Sequence, residues 1–305
     1  MNLNLNIPSP LQKLDDPLFT AKEIEVYIKR DDLIDAEISG NKARKLKFNL
    51  QKFQAGKYDS LLTFGGAYSN HIAAVAAAGR ILSIPTIGII RGDELTPSSN
   101  KTLSKAQADG MQLQFVARDI YEQRYERIYH EELRVQFGNI LIIEEGGANH
   151  LGVFGVGEIM SELPFEPDHI YVGAGTGTTA AGLLYASEKS KVHAIAALKG
   201  GEFLQLDIQK LLYYAILDED DVAEKMDRLG LNTTTHFGGY GKYTDELILL
   251  MEAWKNKFNI PLDYVYTAKM ISAFENDLRA NEFTPGSKIV LVHTGGIQGV
   301  QYTAG

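Results

Sequence analysis

Short apolar runs stopped by glycine alternate along this chain with longer stretches whose apolar residues recur every third or fourth position. The first pattern is that of a strand buried on both faces, the second that of an amphipathic helix. LLTFGG predicts a strand over residues 61–64, ended by Gly65 and Gly66, and HIAAVAAAGRIL predicts the helix after it. PTIGII, QLQFVA and NILIIEEGG predict further strands, separated by a helix over SSNKTLSKAQADG and a single helix over YEQRYERIYHEELRVQF. The same grammar restarts at IYVGAG, residues 170–175, and continues through TTAAGLLYASEK and VHAIAAL. Helical FLQLDIQKLLYYAIL, TDELILLMEAWKNKF and AKMISAFENDLRA follow, and KIVLVHTGG is the last strand. Strands and helices alternating at this length imply βαβ units, parallel sheets and right-handed crossovers with helices on both faces. Two α/β blocks are therefore expected, with a boundary near residue 158, where LGVFGVGEI predicts a bridging helix. The first forty residues belong clearly to neither block and are expected to pack on the second.

One predicted helix opens unusually, with SGNKARKLKF at residues 39–48. Ser39 and Asn41 are suitable N-caps. Ala43, Leu46, Leu50 and Phe53 form one apolar face. Lys42, Arg44, Lys45 and Lys47 crowd the first two turns. Cations there oppose the positive end of the helix dipole by roughly 0.3–1 kcal/mol each. A partner anion, or a task for one of the lysines, would offset that cost.

The 305 residues suffice for one or two domains. A net charge of −9 argues against nucleic-acid or anionic-membrane partners. The absence of cysteine removes thiolate nucleophiles and Cys-ligated metals, and fits a reducing cytoplasm. The start MNLNLNIPSP does not read as a signal peptide, and no apolar run approaches the roughly 20 residues that span a bilayer. No H-E-x-x-H and no G-x-S-x-G occurs, so neither a metal nor a serine-hydrolase site is expected.

GAGTGTTAAG, residues 173–182, follows a strand and opens a helix, where free backbone N–H groups favour an anion. Read as a dinucleotide fingerprint it has Thr178 in place of the third glycine, and Lys199 ends the next strand where an acid would be expected. A phosphate site without a dinucleotide fits better; a tight turn with no ligand is the plain alternative. GGAYSNH has the same strand–glycine–helix form, with Ser69 or Asn70 as N-cap. Taken alone, Tyr266, Thr267 and Thr294 in VYTAK and HTGG are ordinary loop residues.

SGNKARKL, GGAYSNHIAAVAAAG, GGANHLGVFG, VGAGTGTTAAG, GGYG, VYTAK and HTGG, taken in order, resemble D-cysteine desulfhydrases and 1-aminocyclopropane-1-carboxylate (ACC) deaminases. The resemblance runs from about residue 8 to the end and is weakest over residues 202–237. It implies a tryptophan-synthase-β-like, fold type II pyridoxal phosphate enzyme. It implies a large cofactor-phosphate domain (1–43 and 159–305) with a small inserted α/β domain (44–158), and a cytoplasmic homodimer. Lys42, with Lys45 its competitor, would be the lysine joined covalently to the cofactor. The phosphate would lie on Gly175, Thr176, Gly177, Thr178 and Thr179. Asn70 would bond the ring's 3-oxygen, Ser69 the substrate carboxylate, and Tyr240 and Tyr266 would line the substrate side. Thr294 would face the pyridine nitrogen, and Thr267 would also bind the cofactor. ACC deaminases of the family carry Glu where this chain has Thr267, and a non-hydroxyl residue where it has Thr294. Without a carboxylate beside the pyridine nitrogen, β-elimination from a D-amino acid such as D-cysteine is expected over ACC opening. A dehydratase or desulfhydrase for an L-amino acid is the other alternative within the fold, against which the SNH segment argues by resemblance.

Overall fold

The computed structural model describes residues 3–38 and 40–296. The apolar runs form two sheets among these residues. In chain order the strands are β1 (Leu11–Leu14), β2 (Glu25–Arg30), β3 (Ser60–Gly65), β4 (Thr86–Arg91) and β5 (Gln112–Val116). They continue with β6 (Ile140–Ile143), β7 (His169–Ala174), β8 (Lys191–Ala196), β9 (Leu229–Asn232) and β10 (Lys288–His293). The larger sheet runs β1-β2-β10-β7-β8-β9 and the smaller β5-β4-β3-β6. Every pairing is parallel except β1 with β2. The N-terminal hairpin thus adds to the second block, pairing Val26 with Ile289 in register.

Strand order explains where a cleft must lie. In the smaller sheet the chain steps outward from β3 to β5 and then returns to place β6 on the other side of β3. In the larger sheet it steps from β7 to β9 and returns to place β10 on the other side of β7. Helices leave opposite faces on the two sides of such a switch point, so a crevice opens beyond the carboxyl ends of the strands. The loops after β3, β6, β7 and β10 all line one cavity of about 920 Å³.

The predicted helix over 121–137 is broken. Arg118–Glu122 ends in a 3₁₀ turn, Gln123–Tyr125, before Arg127–Phe137 resumes. Arg124 leaves this turn to bond Glu145 at 2.8 Å on the cavity wall, a tertiary contact that outweighs local helix propensity. The helix Glu219–Met226 and the short strand β9, in the segment of weakest resemblance, were not expected from the pattern.

The basic helix Asn41–Gly56 has Gly40, at φ 62°, as its N-cap, with no side-chain cap bond. Ser39 lies outside the described residues. Asn41 is not a cap, because its amide points across the cleft and donates to Thr179 Oγ1 at 2.8 Å. The cost of the clustered cations is met mainly by the protein's own carboxylates. Arg44, fully buried, donates two bonds to Asp31 and two to Glu162, each at 2.8–2.9 Å. Glu162 also takes Lys29 at 2.6 Å. Lys47 pairs with Glu158.

Glu158 and Glu162 are carried by the glycine-rich helix His150–Ser161 and its C-cap. A Cβ on its Gly155 would stand 2.0 Å from the Arg44 carbonyl oxygen, so only glycine permits this approach. Val153, Val156 and Ile159 on the same helix pack into the core of the larger sheet with Val172 and Leu183.

Truncating one partner of a buried, hydrogen-bonded ion pair strands the other charges. Arg44→Met should therefore lower unfolding free energy by about 3–5 kcal/mol. Denaturant titration checks this; a loss below about 1 kcal/mol, the range of exposed pairs, contradicts it.

Candidate active site

Lys42 lies in the first turn of the helix Asn41–Gly56 and reaches into the cavity. Its amine donates to Asn41 Oδ1 at 2.9 Å. Burial lowers its pKa to about 8 against an opposing pull from Asp263. Lys45, one turn on, is 3% exposed and also on the wall. Burial, and then Lys42, push its pKa well below the ordinary lysine value. His71 is buried beside both lysines, with neither ring nitrogen hydrogen-bonded. Burial and the two lysines keep it neutral.

Opposite the lysines, Gly177 opens the helix Thr178–Ala186 in the left-handed conformation, φ 75°, with no side-chain cap. The first N–H groups of a helix so uncapped form an anion site. A Cβ on Gly177 would fall 2.6 Å from Ile208 Cγ1. The glycine is thus required by the left-handed turn and by packing behind the loop, rather than by room on the anion's side. Thr176 and Thr178 share a hydroxyl bond at 2.9 Å. Gly175, Thr176, Gly177 and Thr179 line the cavity, whereas Thr178 is fully buried and is not part of the wall.

Ser69 N-caps the helix Asn70–Leu82, accepting from the Ile72 N–H at 3.2 Å. Ser69 and Asn70 line the cavity, as do Tyr240, Tyr266 and Thr294. The Tyr240 and Tyr266 rings meet edge to face, 6.1 Å apart. Burial, and next Tyr240, raise the Tyr266 phenol well above its ordinary pKa, so it stays protonated. Thr267 is 1% exposed and turned from the cavity, donating its hydroxyl to Asp263 Oδ2 at 2.6 Å. Asp263 also accepts the N–H groups of Val265, Tyr266 and Thr267, and so caps the helix Thr267–Arg279. The wall residue near the loop after β10 is Thr294, whose carbonyl accepts from the Asn41 N–H at 3.2 Å.

An amine whose pKa is lowered to about 8, an uncapped helix start in the same cavity and a second buried lysine beside it fit pyridoxal phosphate. Lys42 would take the aldehyde and the loop after β7 the phosphate. A pyridoxal-phosphate dependent enzyme family model matches residues 4–295. The chain belongs to this family. Its fold is that of the tryptophan-synthase-β-like, fold type II members, and it is a pyridoxal phosphate-dependent enzyme.

A Pyrococcus horikoshii protein described as a candidate ACC deaminase is 31% identical, over 95% of this chain and 90% of its own. The mitochondrial bifunctional D-cysteine desulfhydrase/ACC deaminase of Arabidopsis thaliana is 27% identical, over 97% and 78%. The crystal structure of an ACC deaminase homologue superposes with a TM-score of 0.79 at 29% identity, covering 95% of this chain and 90% of that one.

Sequence reasoning missed Asn41 as a bridge between the two sheets' loops, having read it as a cap. It also missed the far wall of the cavity: Arg91 at the end of β4, Arg124 and Tyr125 of the 3₁₀ turn, and Glu145 after β6 come from three elements that carry no local motif. No helix among the described residues is long and apolar enough to cross a membrane.

The depressed lysine pKa predicts how cofactor attaches to the apoprotein. Only the free amine attacks an aldehyde, so the attachment rate should rise with pH to a midpoint near 8, well below the ordinary lysine value of 10.5. Lys42→Ala should lose the visible band of lysine-bound cofactor, and Lys45→Ala should keep it. Stopped-flow absorbance reads both; a midpoint near 10.5, or a band surviving Lys42→Ala, contradicts the assignment. Gly177→Val should weaken cofactor retention by forcing the loop off Ile208, as equilibrium dialysis of free cofactor would register; unchanged affinity counts against it.

Proposed function

We propose that this enzyme is a lyase or deaminase of small amino acids. Its favoured reaction is β-elimination from D-cysteine or a related D-amino acid, giving pyruvate, sulfide and ammonia. The observation that carries the reading is the placing of a half-buried, readily deprotonated Lys42 amine in one cavity with the loops after β3, β7 and β10. Bound pyridoxal phosphate would delocalise the electron pair of the bond broken at the substrate's α-carbon. Lys42 holds the proton removed from that carbon, a role suited to an amine whose pKa lies near working pH. The N–H groups at the start of the helix Thr178–Ala186 and the Thr176 and Thr179 side of the loop hold the phosphate. Ser69 and the start of the helix Asn70–Leu82 receive the substrate carboxylate, and Asn70 the cofactor's 3-oxygen. Tyr240 and Tyr266 close the substrate side against water, and Thr294 takes the ring nitrogen.

ACC deaminase activity, giving 2-oxobutyrate and ammonia, is the second reading, supported by the relatives' names. Against it stands Thr294, a hydroxyl residue where the ACC deaminases that the chain resembles carry a non-hydroxyl one. The comparison of Thr267 with glutamate loses force, since residue 267 packs on Asp263 away from the cavity. The β-elimination reading rests instead on the hydroxyl of Thr294, which lines the cavity.

The same reading makes the protein a cytoplasmic homodimer that binds neither nucleic acid nor membrane, divided as 1–43 plus 159–305 and 44–158; it rests on the family resemblance and the net charge of −9.

Steady-state assays with D-cysteine, L-cysteine, D-serine, β-chloro-D-alanine and ACC test the substrate. D-cysteine or β-chloro-D-alanine should show the highest kcat/KM and ACC little turnover. A kcat/KM for ACC equal to or above that for D-cysteine would refute the choice.

A further inference from the structure

Lys269 is fully buried, yet it takes no part in the chemistry proposed above. It lies in the first turn of the helix Thr267–Arg279, three residues after Tyr266. Its ammonium donates to the Gly239 carbonyl at 2.7 Å and to the Ala197 carbonyl, just past β8, at 2.9 Å. No carboxylate bonds it; burial lowers its pKa to about 8, with Asp263 opposing. Burying an amine with only carbonyl partners is expensive, so the two oxygens it fixes are worth examining.

The Gly239 carbonyl immediately precedes Tyr240, in a segment without regular structure. Gly238, Gly239 and Gly241 all have positive φ, at 91°, 121° and 67°, so the backbone around Tyr240 has little intrinsic preference. The other main-chain bonds found over 236–242 are local: Gly238 and Gly239 N–H to His236, and Lys242 N–H to Gly239. The bond from Lys269 is the one that crosses to another element. Tyr240 itself is 51% exposed, and its ring contact with Tyr266 is the other hold on it. A single helix thus carries Tyr266 and, through Lys269, the backbone beside Tyr240.

We propose that Lys269 is a positioning residue that fastens the 238–241 loop to the helix Thr267–Arg279 and thereby sets Tyr240 against Tyr266 on the substrate side of the cavity. The inference rests on the reading above for what Tyr240 faces, but the tether is a property of the protein alone. Lys269 does not touch the substrate; it acts through Tyr240.

Two measurements on the holoenzyme test this. Lys269→Met keeps the length and apolar stem of the side chain and removes its donors. Hydrogen–deuterium exchange should rise over residues 236–242 and stay unchanged in the 175–179 loop, with the lysine-bound cofactor band retained. No rise, or a rise spread over both loops, overturns the tether.

The second measurement is a double-mutant cycle with Tyr240→Ala, using D-cysteine or, if it is not turned over, the best substrate of the panel above. Lys269→Met alone should lower kcat/KM by about tenfold, chiefly through KM, but by less than about twofold when Tyr240 is already alanine, the non-additivity expected of coupled residues. Equal effects in both backgrounds would show that Lys269 does not act through Tyr240. If Lys269→Met does not fold, Lys269→Gln, which keeps a donor on a shorter side chain, is read in the same two ways. A localised rise in exchange with no amino acid of the panel turned over would refute the substrate reading and leave the tether standing.

Discussion

The burial of Arg44 between Asp31 and Glu162 is the constraint on which the site depends. Arg44 shares its helix with Lys42 and Lys45; Asp31 follows β2 of the larger sheet, and Glu162 follows the helix that packs on it. The guanidinium therefore couples the start of the lysine helix to the end of β2, 13 residues before it, and to the end of the helix His150–Ser161, 118 residues after it. Four short bonds in a dry site set both distance and rotation, which a surface ion pair screened by water would not. With Arg44 seated, Lys42 and Lys45 face into the cavity and away from any carboxylate bond.

That division of charge gives the two lysines their chemistry. Where cations find buried carboxylates, as Arg44 does, the charged form is held. Where they find only desolvation, as Lys42 and Lys45 do, the neutral form gains. The one carboxylate that acts on Lys42, Asp263, is already occupied by three backbone N–H groups and the Thr267 hydroxyl. It opposes the loss of the proton without cancelling it. The helix of clustered cations thus keeps a reactive amine at the cost of an electrostatically poor start.

Close approach is the second physical theme. Gly155 lets one helix touch the Arg44 carbonyl, and Gly40 lets the lysine helix begin against Thr294, where a Cβ would stand 1.9 Å from the carbonyl oxygen. Loops from four strand ends can then converge on one cavity although they come from two sheets.

Apolar run length and periodicity determined the strands, most of the helices and the doubly wound grammar, because those signals are local and buried parallel strands are nearly continuous in apolar residues. The glycine–threonine turn before Thr178–Ala186 was legible for the same reason: a strand, a glycine and a helix start lie within a few residues. What local pattern could not reach was decided by tertiary contacts. Asn41 has the composition of a cap, but its partner Thr179 is 138 positions away. The break at Gln123–Tyr125 answers to Glu145, and Thr267, placed by its motif beside the cofactor, is turned inward by Asp263. Cations at 42, 44, 45 and 47 are alike in sequence; only the fold, by giving carboxylates to Arg44 and Lys47 and a cavity to Lys42 and Lys45, separated structural charge from a reactive amine.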